Sequence, residues 1–404
     1  MEFDSRHKPI IAWAAFVVAA LFFLFEFVAR IEPSLATSEM AADFGLSRAG
    51  FGVLSSLFFW IYAPMQIVVG LLLDRFGARR LMLPAILVCA LGVATVGLVS
   101  SPVLAGVGRL ATGFGASFAF VCALYVVNHW FPSERFAVLS GVVNAVGMLG
   151  TAVGAVALTG VVGSIGWRPT FLATGAFGLL IFALAVLLFR DAPAQQEDVE
   201  VHDSPLGPLY DILRDSQVWL IAVIGALLYL PINVYGGLWG NSELAQDHGL
   251  SPIAAETAVS LLFWGMAVGS IGAGALSDRL GHRKWIVFGG GVAAAVIWTG
   301  VLFSGTGSLS LLAVLLFLAG LFGGAQMLTF AMARDGQDAR SAGTAIAFVN
   351  MVGIGAALVF QPLVGALVDR LGSFALALAL LPLALALAAA LTLLVRESRP
   401  QPKA

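Results

Sequence analysis

The sequence predicts an all-α membrane protein of twelve transmembrane helices, arranged as two six-helix bundles with pseudo-twofold symmetry. Composition, the number of apolar runs and an internal repeat carry this reading. Of 404 residues, 60% are apolar and 11% charged, against roughly 25% charged in an ordinary soluble protein. A soluble domain of this size could not hide so much apolar surface, whereas lipid is itself an apolar solvent.

Runs long enough to cross about 30 Å of hydrocarbon lie near 10–31, 50–73, 81–99, 103–127, 137–163, 170–189, 217–240, 254–276, 285–303, 308–332, 341–368 and 372–395. The first is too long for a signal-peptide core and lacks a small-residue cleavage site, so it reads as span 1. With the N-terminus inside, sixteen basic residues fall in cytoplasmic segments. Only Arg48, Arg168 and Arg370 fall in outer loops. The positive-inside rule then places both termini in the cytoplasm. Compactness and short flanks suggest a bacterial inner membrane. Cys89 and Cys122 both lie in apolar spans and read as small core hydrophobes, neither a disulfide framework nor a metal site.

The chain repeats itself at an offset of 204 residues. GLLLDRFGARR at 70–80 returns as GALSDRLGHRK at 274–284, DFGLS at 43–47 as DHGLS at 247–251, and LFFW at 57–60 as LLFW at 261–264. Three matches in one register mark a duplicated six-helix unit, the parallel repeat of one transporter class. The expected domains are 1–190 and 217–404, joined by a cytoplasmic acidic linker at 191–216. Its composition suits a flexible tether, with PLYDILRD as a candidate amphipathic helix at the membrane surface.

The DRFGARR and DRLGHRK loops resemble the signature of the major facilitator superfamily, roughly G-x-x-x-D-R-x-G-R-[RK]. Ala78 stands where the first copy usually has a basic residue, with Arg79 and Arg80 following. The resemblance covers the whole chain and implies the major facilitator fold, a monomer, and a central cavity lined by spans 1, 4, 7 and 10. It also implies a cytoplasmic gate, in which the loop acid lies against the N-terminus of a helix from the other half, where a macrodipole favours negative charge. The matching residues are Gly70, Asp74, Arg75, Gly77, Arg79 and Arg80, with Gly274, Asp278, Arg279, Gly281, Arg283 and Lys284 in the second copy.

Span 1 raises the functional question, because FEFVAR at 25–30 places Glu26 and Arg30 where lipid should be. Such charges cost about 2.5–3.5 kcal/mol each at mid-bilayer, and at i, i+4 they share one helix face. Arg109 on span 4 is a third, and resembles a recurring span-4 arginine of proton-coupled family members. Its repeat counterpart is Ala313. Two cations against one acid favour an anionic or zwitterionic substrate, with Glu26 as a proton-linked acid. The bland alternative is that Glu26 and Arg30 neutralise each other while Arg109 bonds backbone carbonyls. Further polar candidates for the substrate site are Tyr62 and Gln66 on span 2, Asn233 and Tyr235 on span 7, Gln326 on span 10 and Asn350 on span 11. Each could equally be an interhelical hydrogen bond.

Gly141, Gly150 and Gly154 on span 5 partly match an antiporter motif of the superfamily, without its Pro and final Gly. WFPSERFA at 130–137 and GWRPTF at 166–171 are similar to segments of bacterial relatives of the organic-anion symporter and lysosomal dipeptide-carrier branches. The function expected is secondary active transport of a small organic anion or zwitterion by alternating access. The alternatives are a proton-driven efflux antiporter for lipophilic or cationic compounds, and a non-transporting sensor on the same scaffold. HExxH, GxSxG, P-loop and Cys/His clusters are absent from the sequence, which argues against an enzyme, an ATP-driven pump or a metal centre. No cofactor is expected beyond coupling protons. The expected partners are a small-molecule substrate and the bilayer, not nucleic acid.

Overall fold

The computed structural model describes residues 8–131, 133–191, 207–305, 308–335, 337 and 339–396. Twelve helical segments follow the twelve apolar runs: α1 (Lys8–Ile31), α2 (Arg48–Phe76), α3 (Ala78–Leu98), α4 (Pro102–Trp130), α5 (Ser133–Ile165), α6 (Trp167–Leu188), α7 (Ser216–Gln246), α8 (Pro252–Leu280), α9 (Lys284–Phe303), α10 (Leu309–Asp335), α11 (Ala339–Leu371) and α12 (Phe374–Thr392). Among the described residues, eleven helices are long and apolar enough to cross a membrane. The remaining segment is α5, whose described apolar stretch Gly150–Ile165 is shorter. The short helix Gly207–Arg214 occupies the PLYDILR sequence, with Ile212 buried and Tyr210 and Leu213 exposed. That is the amphipathic pattern the sequence suggests.

The chain divides into two compact units. One comprises Met1–Glu32 and Trp60–Asp203, the other Pro33–Phe59 and Ser204–Ala404. The segment 33–59 joins the second unit for a physical reason. The N-terminal backbone of α2 donates to Asp369 on α11, Arg48 N at 3.2 Å and Ala49 N at 2.8 Å. Gly52 lies so close to α11 that a Cβ there would stand 2.7 Å from the Gln361 carbonyl oxygen.

In the first unit, α3 packs against α4 and α6, and α1 against α5. Glycines set these crossings. A Cβ at Gly92 would meet the Thr112 backbone of α4, and one at Gly147 the Phe23 and Phe27 rings of α1. Gly150 packs on Leu24 and Gly154 on Val28, so the glycine face of α5 accommodates α1 by close contact. In the second unit α8 and α10 cross on Gly265, Gly269, Gly320 and Gly324, each against the other helix's backbone.

Candidate functional site

Pro33 governs the end of α1. The residue before a proline is pushed out of the α region, and the chain passes into a 3-10 turn over Glu32–Ala36. Carbonyls at the helix end are left without amide partners. Arg109 of α4 reaches them, Nη1 donating to Ala29 O at 2.9 Å and Nη2 to Arg30 O at 3.3 Å. Its guanidinium is also within electrostatic reach of Glu32. Glu32 is fully buried and accepts from the Thr174 hydroxyl of α6 at 2.8 Å. Arg109 thus caps α1, the structural alternative noted from sequence.

One turn earlier, Arg30 Nε lies 3.4 Å from Glu26 Oε1. The guanidinium sits over the Phe27 ring at 4.0 Å from its centroid and 5.9 Å from that of Tyr62, cation–π contacts that a desolvated arginine favours. Tyr62 lies near Glu26, and the Gln66 amide reaches back to Tyr62 O at 3.5 Å. The structure brings Glu26, Arg30 and Tyr62 together, with Gln66 one turn along α2 from Tyr62. It corrects the charge count: with Glu32 included, the buried ionisable residues of this unit are, among the described residues, two acids and two arginines, with no excess of positive charge. Glu32 escaped the sequence reading because it falls one residue beyond the apolar run, although an acid directly before a helix-ending proline was a usable signal.

On α7 the run PINVYGGLW forms a π-helical segment, Pro231–Trp239. Proline at its start has no amide to give, and π turns concentrate at functional sites. Side chains hold the segment to α11. Asn233 Nδ2 donates to Gly353 O at 3.0 Å, Gln361 Nε2 to Asn233 O at 2.9 Å, and Trp239 Nε1 to Gln361 O at 3.0 Å. Tyr235 is fully buried, its ring 4.7 Å from that of Trp298 and its hydroxyl donating to Glu243 at 2.8 Å. His248 Nε2 meets the other Glu243 oxygen at 3.0 Å. Gln361, Glu243 and His248 were not singled out from sequence. Gln326 is buried in the 3-10 turn Gly324–Met327 of α10, and Asn350 is half-buried on α11.

The expected gate loops divide by function. Gly77 (φ 76°) and Gly281 (φ 68°) take the positive φ angles that favour glycine, at the turns after α2 and α8. Arg79 donates to Val186 O at 3.0 Å and to Phe189 O, closing the carbonyl end of α6, while its backbone amide donates to Asp191 at 2.8 Å. Lys284 does the same for α12, donating to Leu393 O at 2.7 Å and Val395 O at 2.9 Å. Arg283 pairs with Asp335 at the end of α10. These three side chains fasten helices within their own unit. Arg80 and Arg279 are exposed. The placement of Gly70 and the side chains of Asp74, Arg75 and Asp278 fall outside the described residues. A third copy of the loop motif, GALVDRLG at 365–372, was missed in the sequence. Gly372 makes its turn (φ 69°), and Asp369 is the acid at the α2 N-terminus. Among the described residues no group of three His, Cys, Asp or Glu could hold a metal ion.

The family model for the Major Facilitator Superfamily matches residues 11–239 and 221–404. A probable sulfoacetate transporter of Cupriavidus necator is 26% identical over 391 residues, covering 89% of this chain and 88% of the relative. An efflux pump of this superfamily from Mycolicibacterium smegmatis is 27% identical, covering 70% and 67%. Among solved structures, a bacterial homologue of the human lysosomal transporter Spinster, inward-facing and occupied, matches with a TM-score of 0.78 at 16% identity, covering 99% of this chain and all of that one. Two tandem matches span the two repeats read from the sequence. The chain belongs to the Major Facilitator Superfamily and is a multi-pass membrane transport protein, not an enzyme.

Proposed function

We propose that the protein moves a small organic anion or zwitterion across a bacterial inner membrane by alternating access, coupled to protons, as a monomer with both termini in the cytoplasm. The observation that carries the substrate class is Arg30. Its side chain is 10% exposed, whereas Glu26 and Glu32 are fully buried and Arg109 is 2% exposed. Arg109 is engaged with the α1 carbonyls, which makes Arg30 the guanidinium best placed to meet an anion. A planar, permanently charged fork suits a carboxylate or sulfonate. The sulfoacetate relative supports the same class. Glu26, held 3.4 Å from Arg30, is the proposed proton-linked acid, because an incoming anion competes with it for the guanidinium. Tyr62, Gln66, Asn233, Tyr235, Gln326 and Asn350 complete the proposed substrate and coupling set, and the two DRxG loops the proposed cytoplasmic gate.

A thermal-shift screen of the purified protein in detergent tests this reading. Carboxylates, sulfonates, sugar acids and dipeptides at ten times their dissociation constant are expected to stabilise by about 1.4 kcal/mol, and Arg30→Ala to abolish the shift. Stabilisation by lipophilic cations that requires Glu26 would instead establish the efflux reading, which the Mycolicibacterium smegmatis relative supports.

A further inference from the structure

Four glutamates are buried among the described residues of the apolar helices and the turn that follows α1: Glu26, Glu32, Glu243 and Glu256, none more than 3% exposed. Three have a basic neighbour. Glu26 has Arg30, Glu32 has Arg109, and Glu243 has His248. Glu256, in the second turn of α8, has among the described residues only the side-chain amide of Asn241, whose Nδ2 donates to Glu256 Oε2 and lies 3.4 Å from Ser34 O. The Asn241 Oδ1 atom is itself buried and receives no hydrogen bond from any described residue.

Among the described residues, an ionised carboxylate in that position would have one neutral donor and no counter-charge, in an apolar setting where isolated ions are strongly disfavoured. Nearby charges do not compensate. Glu243 and His248, on and just beyond the last turn of α7, are bonded to each other, and Tyr235 donates to the same acid. α10 packs along α8 but carries its ionisable residues, Arg334 and Asp335, at its last turn. The helix macrodipole acts within the first turn, and Glu256 lies about 6 Å along the axis from Pro252 at 1.5 Å per residue. A protonated carboxyl needs no counter-charge: one oxygen accepts from the amide N–H, and its O–H is a donor of the kind that the orphaned Asn241 Oδ1 lacks.

We propose that Glu256 and Asn241 form a second proton site of the transporter, occupied in this conformation and distinct from the Glu26–Arg30 pair. It belongs to one half only, since the repeat counterpart of Glu256 is Gly52. Asn241 retains partial exposure, which gives the proton a route. When the first turns of α8 part from α7 and water enters, the carboxyl O–H breaks, the proton passes to water, and the carboxylate left behind is solvated.

The proposal rests on the transport reading for its role in coupling, but occupancy is measurable without a substrate. Infrared spectra of the purified wild type in lipid at neutral pH are expected to contain a protonated-carboxyl carbonyl band. That band is lost in Glu256→Gln and kept in Glu26→Gln. An unchanged band in Glu256→Gln overturns the proposal, as does its removal from the wild type by sodium, which would make this a metal-cation site. Should Glu256→Gln fail to fold, Asn241→Leu supplies the second reading. Losing the acceptor shifts the band, and an unshifted band is equally fatal. In proteoliposomes, Glu256→Gln is expected to keep substrate exchange while losing accumulation driven by a pH gradient. A wild type that moves no panel substrate would defeat the transport reading and leave the infrared result standing.

Discussion

The two units stabilise their buried polar groups by different means. In the first, the end of α1 is organised by two arginines: Arg30 beside Glu26, and Arg109, which lies near Glu32 and caps two carbonyls. In the second, the π segment of α7 is held by neutral donors and acceptors, Asn233, Gln361 and Trp239. Its acids lean on a tyrosine, a histidine and an amide. The difference teaches where specificity can reside in a duplicated fold. The repeat conserves spans and turn glycines, while each half acquires its own chemistry at the ends of α1 and α7.

Removing the buried guanidinium that caps two α1 carbonyls leaves those acceptors unpaired at about 1–3 kcal/mol each. Arg109→Ala is therefore expected to give the largest loss, seen as a much lower unfolding temperature in detergent, with Arg109→Lys recovering part of it. Next comes Gly52→Ala, where the new methyl meets the Gln361 carbonyl oxygen at 2.7 Å and the Pro362 Cα at 2.8 Å. Overpacking of this kind costs about 1–3 kcal/mol, and the unfolding transition should fall accordingly. Asn233→Ala sharpens the comparison from the neutral side. A membrane hydrogen bond is worth about 0.6–1.7 kcal/mol, so its thermal shift should be well below that of Arg109→Ala. Equal losses would break the distinction between the units. Smallest is Asp369→Asn, which removes a partly exposed charge from the α2 N-terminus. The expected loss is below about 1 kcal/mol and shrinks further in high salt.

Much of this was legible beforehand, and the exceptions have physical causes. Span positions and the repeat follow from hydropathy, which lipid enforces along the whole chain. Glu26 and Arg30 could be associated because i, i+4 geometry is local and an intramembrane charge demands a partner. The target of Arg109 was only one of two readings, since backbone carbonyls carry no sequence identity and any helix end can supply them. Glu32 was lost to a boundary one residue short. Glu256 sits one turn into its helix, where an acid resembles an ordinary N-terminal one until burial is known. The membership of 33–59 in the second unit depends on Gly52 and Asp369 meeting α11, a contact across more than 300 residues that no local pattern announces.

Arg30, rather than Arg109, is the residue proposed to receive the substrate anion. Uptake into proteoliposomes of a radiolabelled small sulfonate or carboxylate, chosen from the thermal-shift hits, tests it most directly. The test compares wild type with Arg30→Lys and Arg30→Ala at matched folded protein. The account predicts uptake that falls at least about tenfold in Arg30→Ala, equivalent to about 1.4 kcal/mol of lost binding. Arg30→Lys should keep part of the activity because a point charge remains without the fork. Undiminished uptake in Arg30→Ala would contradict the claim and move the anion site elsewhere in the protein.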